Sequence, residues 1–516
     1  MIKLSKEDYT NKVRGCFMGK NIGGTLGAPF EWKRQVNNVD FFVQKLSGEP
    51  FPNDDLDIQL LWLIALEERG INVDSKVLAE YWQLYVTPHW AEYGNAKINM
   101  KSGLMPPLCG TLNNDFKDSN GSFIRSEIWA CIAPGCPSIA AVFAYEDAII
   151  DHGDGEGLYA EIFCAALESA AFIINDINKL IDIGLSYIPD DCGIAKAVNC
   201  AVSLYKSGKT WLEARDEILR QYRGLIKPVL YGGLIGGISK EDEKKGFKDG
   251  KIGYDAPCNI GMLMIGLLYG QGDFGKSVTI AVNCGEDTDC TAATCGSIFG
   301  IINGIDLIPN KWIKPIGRKI KTGVLNLGEL GFYGSQLPGD IDELTNRVFK
   351  IVQQTIMRYD MPIEITESEN TDLKDLDINK LLAKKDKLSI YRNLKGPVYH
   401  FDFFDVTVIY NDNPYIKDNT PKIIELVIDN KYKVQERINI HWYLPENWRI
   451  SPSADGNIFI SNKGFGIHSK KIKYEIAIDR VIQNINRCVV ELTFAGRSSI
   501  LLVPVVLLNG NLISES

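Results

Sequence analysis

The stretch "NCGEDTDCTAATCGSIFG" (residues 283–300) sets three carboxylates, Glu286, Asp287 and Asp289, directly ahead of a run of small and apolar residues. That run has helical spacing from about Cys290 to Ile302. Its Ala292, Ala293, Cys295, Gly296 and Gly300 are too small-sided for a surface helix, so a buried one is predicted. A carboxylate is welcome at a helix N-terminus, where unpaired N–H groups carry partial positive charge. An ordinary Asp cap would explain one such residue. Three in four positions repel each other unless something positive lies between them. Hard oxygen donors in that arrangement suit Mg²⁺, Mn²⁺ or Ca²⁺.

A second stretch repeats the design. In "FPNDDLDIQLLW" (51–62), Asn53, Asp54, Asp55 and Asp57 lead straight into an apolar helix. Two acidic helix mouths facing each other across a bundle could hold a dinuclear site; capping plus a solvated first turn is the competing account. In "RGCFMGKNIGGTLGAPFEW" (14–32), Gly15, Gly19, Gly23, Gly24 and Gly27 bare one helix face, fit for close packing against another backbone or for a ligand. Pro29 ends that helix and Glu31 follows on the loop.

Outward from these segments the chain divides by hydrophobic period. Residues 1–362 carry helix-period segments such as "DIQLLWLIALEERG" (57–70) and "IDELTNRVFKIVQQTIMRYD" (341–360), and predict an all-α domain. Residues 363–398 are polar and charged and are expected to form a linker. From 399 to 516 the period becomes two, in segments such as "FDVTVIY", "KIIELVID" and "CVVELTF". Six or seven such strands predict an antiparallel β-sandwich. The fold class is thus multidomain α and β, a helical bundle followed by a β-sandwich.

The three acidic and glycine-rich segments, in this order, resemble the ADP-ribosylglycohydrolase family, with "GCFMGKNIGGTLGAPFE", "NDDLD" and "CGEDTDCTAATCGSIFGIINGIDLIPNKW" in the places of its motifs. "GSFIRSEIWACIAPGCP" and "AYEDAIIDHGDGEGLYAEIFCAALESAAF" look like its central segments, and the resemblance spans roughly residues 9–358. It implies an orthogonal all-α bundle with one or two Mg²⁺ (or Mn²⁺) ions at its centre, meeting ribose hydroxyls of the substrate. By resemblance, Asp54, Asp55, Asp287 and Asp289 are metal ligands, and Glu31 matches an acidic residue with an acid/base or gating role. Three positions depart from the pattern. Asn53 replaces a threonine, and its amide oxygen could still ligate a hard cation. Cys290 replaces another, and a thiol is a poor ligand for Mg²⁺. Gly24 replaces an aspartate, while Lys20, one turn earlier, could bring an ammonium to the acidic centre in place of part of one ion's charge.

The resemblance and the residues together lead to hydrolysis at an anomeric carbon, with Glu31, Asp55 and Asp287 in the catalytic roles. Lys20, Arg125, Glu127, His152 and Cys290 are candidates for substrate contact; a buried Arg125–Glu127 pair and an internal hydrogen bond of His152 are the structural alternatives. The substrate is expected to be a small glycoside or an ADP-ribosylated molecule. A glycosidase or nucleosidase for another glycoside, or a non-enzymatic relative, stay open. In the β domain, Trp442, Tyr443 and Trp448 could stack on sugars or serve as core, and the domain could form a homo-oligomer interface.

The bulk properties are compatible with all of this. The 516 residues exceed what one core sustains, and 45% are apolar. A net charge of −9 argues against a generic nucleic-acid or anionic-membrane surface. No apolar run reaches the roughly 18 residues of a membrane span. The N-terminal stretch lacks the apolar region of a secretion signal, and the 12 cysteines form no CxxC pair, so a cytoplasmic location with free thiols is expected.

Overall fold

The computed structural model describes residues 1–225, 239–247, 250–325, 336–372, 377–383, 395–464 and 466–512. The contacts fall into two compact units, residues 1–97 with 113–392 and residues 98–112 with 393–516.

The first unit is helical, and its axis is a pair of buried antiparallel helices, Lys6–Gly27 and Thr288–Asn303. They interlock through a ladder of four rungs. A Cβ on Gly15, Gly19, Gly23 or Gly27 would collide with the carbonyl oxygen of Gly300, Gly296, Ala292 or Thr288 in turn. The four-residue step keeps all rungs on one face of each helix, so the two backbones touch along their length. The glycine face is therefore a packing surface. Gly24 lies off this ladder and faces Asn53.

This unit is not purely helical. Ile2–Ser5 pairs in parallel with Ile363–Thr366, inside the stretch expected as linker. Both strands are four residues long, too short for their alternation to register before they are paired. Parts of that stretch, 373–376 and 384–394, lie outside the described residues. No helix among the described residues is long and apolar enough to cross a membrane.

In the second unit two five-stranded sheets share one core. One runs Arg449–Ser451, Ser469–Ala477, Lys422–Asn430, Phe404–Ile409, Val398–His400, all antiparallel. The other runs Asp455–Ile460, Glu436–Tyr443, Ile485–Phe494, Ile500–Asn509, with Tyr415–Ile416 added in parallel at one edge. Alternate residues such as Val406, Leu426, Ile440 and Val490 point inward, which is the sandwich the period of two predicted. Trp442 belongs to that core and Trp448 packs against it, so neither is an exposed sugar platform. Tyr443 is exposed, with its hydroxyl donating to Glu491 at 3.0 Å.

Candidate active site

Two helix N-termini converge in the first unit. Asn53 caps the helix Asp54–Arg69, its Oδ1 accepting from the Asp55 N–H at 2.8 Å. Its Nδ2 faces Asp289 Oδ2 at 3.4 Å. Asp287 occupies the cap position of Thr288–Asn303 but makes no capping hydrogen bond with its side chain. Asp287 is instead held sideways: its N–H donates to Asn259 Oδ1 at 3.2 Å, and its Oδ2 accepts from Asn120 Nδ2 at 2.8 Å. Asp54 Oδ2 accepts from the Tyr93 hydroxyl at 3.2 Å.

The carboxylates are short of partners. Both oxygens of Asp55, Oδ1 of Asp287 and Oδ1 of Asp289 are buried with no hydrogen-bond partner. An uncompensated buried charge is expensive, so such a group must either keep its proton or share a cation. Burial, followed by the Asp289 charge, pushes Asp287 well above the ordinary carboxylate range and lifts Asp54 to about 6. Burial also drives Asp55 up, against the pull of Lys20. Asp54, Asp287 and Asp289, which share one cavity, therefore fit a divalent cation, while Asp55 lies behind the lining beside Lys20. Asp287, Asp289 and Cys290 bring ligand atoms within 4.8 Å of one another.

Not every acid in these motifs takes part. Glu286 adopts a left-handed backbone, φ 65°, and turns to Arg223 and Arg34, the latter at 3.3 Å. Asp57 Oδ2 accepts from the N–H groups of Gly323 and Val324 at 2.6 and 2.9 Å and so anchors a loop, its carboxyl raised to about 7 by burial.

The acidic centre lies at the base of a cavity of about 530 Å³. Asn53, Asp54, Asp287, Asp289 and Cys290 line it, as do Trp32, Trp90, Tyr93 and Phe116. Glu31, beyond the three-residue turn Ala28–Phe30, lines it too and keeps access to solvent. Desolvation along the cavity wall, then the charges of Asp289 and Asp54, push its carboxyl up to about 9.

The other expected contacts sit one layer behind the wall. Lys20 is buried and donates to Glu127 Oε1 at 2.6 Å and Thr294 Oγ1 at 3.3 Å, with Asp55 Oδ2 at 4.0 Å. Burial alone would lower its pKa, but Glu127 and Asp55 more than reverse that, so it stays charged. It does not snorkel to solvent. Arg125 is bonded to Asp147 at 2.9 Å and Asp151 at 2.7 Å, and holds the carbonyl of Gly121, a wall residue, at 2.6 Å. Its acid partners are those aspartates and not Glu127. His152 lies between Asp151 at 2.9 Å and Ser119 at 3.3 Å. Arg125, Glu127, Lys20 and His152 are fully or almost fully buried and are not among the lining residues. They brace the wall from behind; Cys290 alone of the five reaches the cavity.

Sequence reasoning passed over Asn120, Asn259, Tyr93 and the aromatic wall. Asn120 stands one residue before the "GSFIRSEIW" segment and looks like any loop asparagine. Only the tertiary fold brings it to Asp287.

An uncharacterized protein of Archaeoglobus fulgidus is 23% identical over 318 residues, 59% of this chain and 90% of that protein. Two solved structures, a FixG-related protein from Vibrio parahaemolyticus and WR4, a C. elegans MSP family member, cover 21% and 20% of the chain and 99% and 97% of their own. Their identities are 12% and 16% and their TM-scores 0.18 and 0.15, too low to carry an argument. The model of the ADP-ribosylglycohydrolase family matches residues 5–353, the helical unit with both acidic helix mouths and the glycine ladder. The chain belongs to that family, and with it to the hydrolases of glycosidic bonds.

Proposed function

We propose that this chain is a divalent-cation-dependent hydrolase that cleaves the bond to the anomeric carbon of an ADP-ribose-type substrate. The observation that supports it most is the pair of buried carboxylate oxygens of Asp287 and Asp289 that accept no hydrogen bond, beside Asp54 in an aromatic-walled cavity, with Asp55 and its Lys20 counter-charge in the layer behind. Asp54, Asp287 and Asp289 would hold one or two Mg²⁺ or Mn²⁺ ions. Asn53 spends its amide oxygen on the helix cap and steadies Asp289 through its nitrogen. A cation bound there supplies charge that neutralises the acids and orients a ribose-like diol.

The chain's own groups do the remainder. Trp32, Trp90, Tyr93 and Phe116 give flat apolar surface on which a base or sugar ring can lie and from which water is displaced. Glu31, at the cavity, exchanges a proton with the attacking water or the leaving atom as the anomeric carbon gains positive character. Its raised pKa keeps it protonated until neighbouring acids are neutralised, after which it can serve as base. Lys20 fixes Asp55 and Glu127 at their buried end, which steadies the carboxylate set.

One observation favours a second reading. Among the described lining residues are six carboxylates, Glu31, Asp54, Glu92, Asp255, Asp287 and Asp289, and no Lys or Arg. A pyrophosphate finds little to meet there, whereas an uncharged glycoside or nucleoside does not need a basic partner. Calorimetric titration with ADP-ribose and with plain ribosides, with and without Mg²⁺ or Mn²⁺, separates the two. Cation-dependent binding of ADP-ribose that is lost in Asp287→Ala with Asp289→Ala supports the first. Cation binding with affinity only for ribosides supports the second. A chain that binds neither cation nor sugar sinks both.

A further inference from the structure

Cys290 stands in the first turn of Thr288–Asn303, almost fully buried, and is part of the cavity lining. Its Sγ is grouped with one carboxylate oxygen each of Asp287 and Asp289 inside 4.8 Å, a span that one cation bridges with small side-chain rotations. Oδ1 of Asp287 and Oδ1 of Asp289 are buried and accept no hydrogen bond from outside the trio, which points to a bound cation. The hydroxyl next along the chain offers no substitute, since Thr291 Oγ1 bonds back to the Asp287 carbonyl at 2.9 Å. Two carboxylates and one sulfur give three protein donors with a fourth direction open to the cavity.

That donor set discriminates between cations. Mg²⁺ takes oxygen ligands in a near-ideal octahedron and gains little from sulfur. Zinc-like ions accept carboxylate oxygen and thiolate sulfur together, and a three-ligand shell with an open position is how zinc is held where it acts on a substrate. We propose that the Asp287–Asp289–Cys290 trio is selective for a thiophilic divalent d-block cation of the zinc type, bonded to Cys290 Sγ. On binding, the thiol gives its proton to solvent and the sulfur electron pair forms the bond to the ion; no oxidation or reduction occurs. The inference rests on the cation-site reading above and adds to it a preference for borderline ions over the hard ones that the carboxylates alone also hold.

Co²⁺ reports sulfur ligation directly, because a thiolate adds an intense near-ultraviolet charge-transfer band. Full-length protein, stripped with chelator, is titrated with Co²⁺ by absorption and with Zn²⁺ and Mg²⁺ by calorimetry, as wild type, Cys290→Ser and Cys290→Thr. The expected result is a charge-transfer band that saturates at the cluster's stoichiometry and is missing in both variants. Zn²⁺ affinity falls on the order of 100-fold in the variants, while Mg²⁺ affinity is unchanged. The retained Mg²⁺ binding shows that the variants are folded at the site. Co²⁺ binding without the band, or a band that survives in both variants, overturns the proposal and leaves the cation site standing. A chain that binds none of the three ions overturns both.

Discussion

The side-chain amide of Asn53 occupies the space that a residue at position 24 would otherwise fill: a Cβ on Gly24 would lie 2.5 Å from Asn53 Nδ2. The two positions are complementary, a missing side chain on one helix and a longer one at the mouth of the other. The neighbouring ladder glycines meet backbone and have no such give. Gly24→Ala presses on the Asn53 amide, which caps the next helix and meets Asp289, but gains helix propensity, and is expected to cost about 1 kcal/mol. Gly19→Ala drives a methyl into the Gly296 carbonyl and is expected to cost about 3 kcal/mol or more. Urea midpoints of the two variants check this, and equal losses would mean that the ladder is looser than described.

Asp289 crowds Asp287 and Asp54 with like charge. Asp289→Asn relieves that repulsion. In chelator the variant should melt higher than wild type, by about 2–4 °C. It should also lose the rise in Tm that a divalent cation gives wild type. Scanning calorimetry with and without cation measures both. A lower Tm in chelator would make Asp289 a stabilising first-turn acid, with no strain held for a ligand.

The raised carboxyl pKa values set the sign of the pH dependence. Buried Asp54 and Asp57 hold their protons to about 6 and 7 in the folded chain, above the ordinary carboxylate range of the unfolded one. At mildly acid pH the folded state therefore binds more protons than the unfolded state. Their contribution is complete below the unfolded pKa, near 4, and is lost as pH rises through these values. The cation-free protein is expected to lose Tm from pH 5 to about pH 7, and added cation should restore more at pH 8 than at pH 5. Melting curves across that range decide the matter; a cation-free Tm that climbs with pH would refute it.

Lys20 is the buried counter-charge of Glu127 at 2.6 Å and of Asp55 at 4.0 Å. Lys20→Met strands Glu127 and Asp55 and should cost about 3–5 kcal/mol. Adding Glu127→Gln to that variant should return much of the loss, since the acid that most needs Lys20 is then gone. A double-mutant cycle in urea gives the coupling; additive losses would show that the two side chains do not depend on each other.

What the sequence disclosed and what it withheld follow from the range of each interaction. The helical and β halves were legible because a hydrophobic period is local. The acid runs holding Asp54, Asp55, Asp287 and Asp289 also stood out, since acids at the start of an apolar helix are a contradiction visible within ten residues, but that Asp55 turns behind the cavity lining was not visible. Arg125, Glu127 and His152 were noticed, but whether they face the cavity or the layer behind depends on helix rotation, which their spacing does not state. Trp32, Trp90 and Phe116 lie outside any periodic segment, so nothing marked them as a wall. The pairing of Ile2–Ser5 with Ile363–Thr366 joins opposite ends of the helical half and had no local trace.

The glycine ladder also decides which changes in length the helical unit can absorb. One residue inserted between Gly19 and Gly23 would rotate the rest of that helix by about 100° and advance it about 1.5 Å. Gly23 and Gly27 would then leave their rungs, and Glu31, only four positions beyond Gly27, would swing off the cavity. A single insertion or deletion in this stretch is thus a frame error for the site, however harmless its side chain, whereas loops remote from the ladder can lengthen freely.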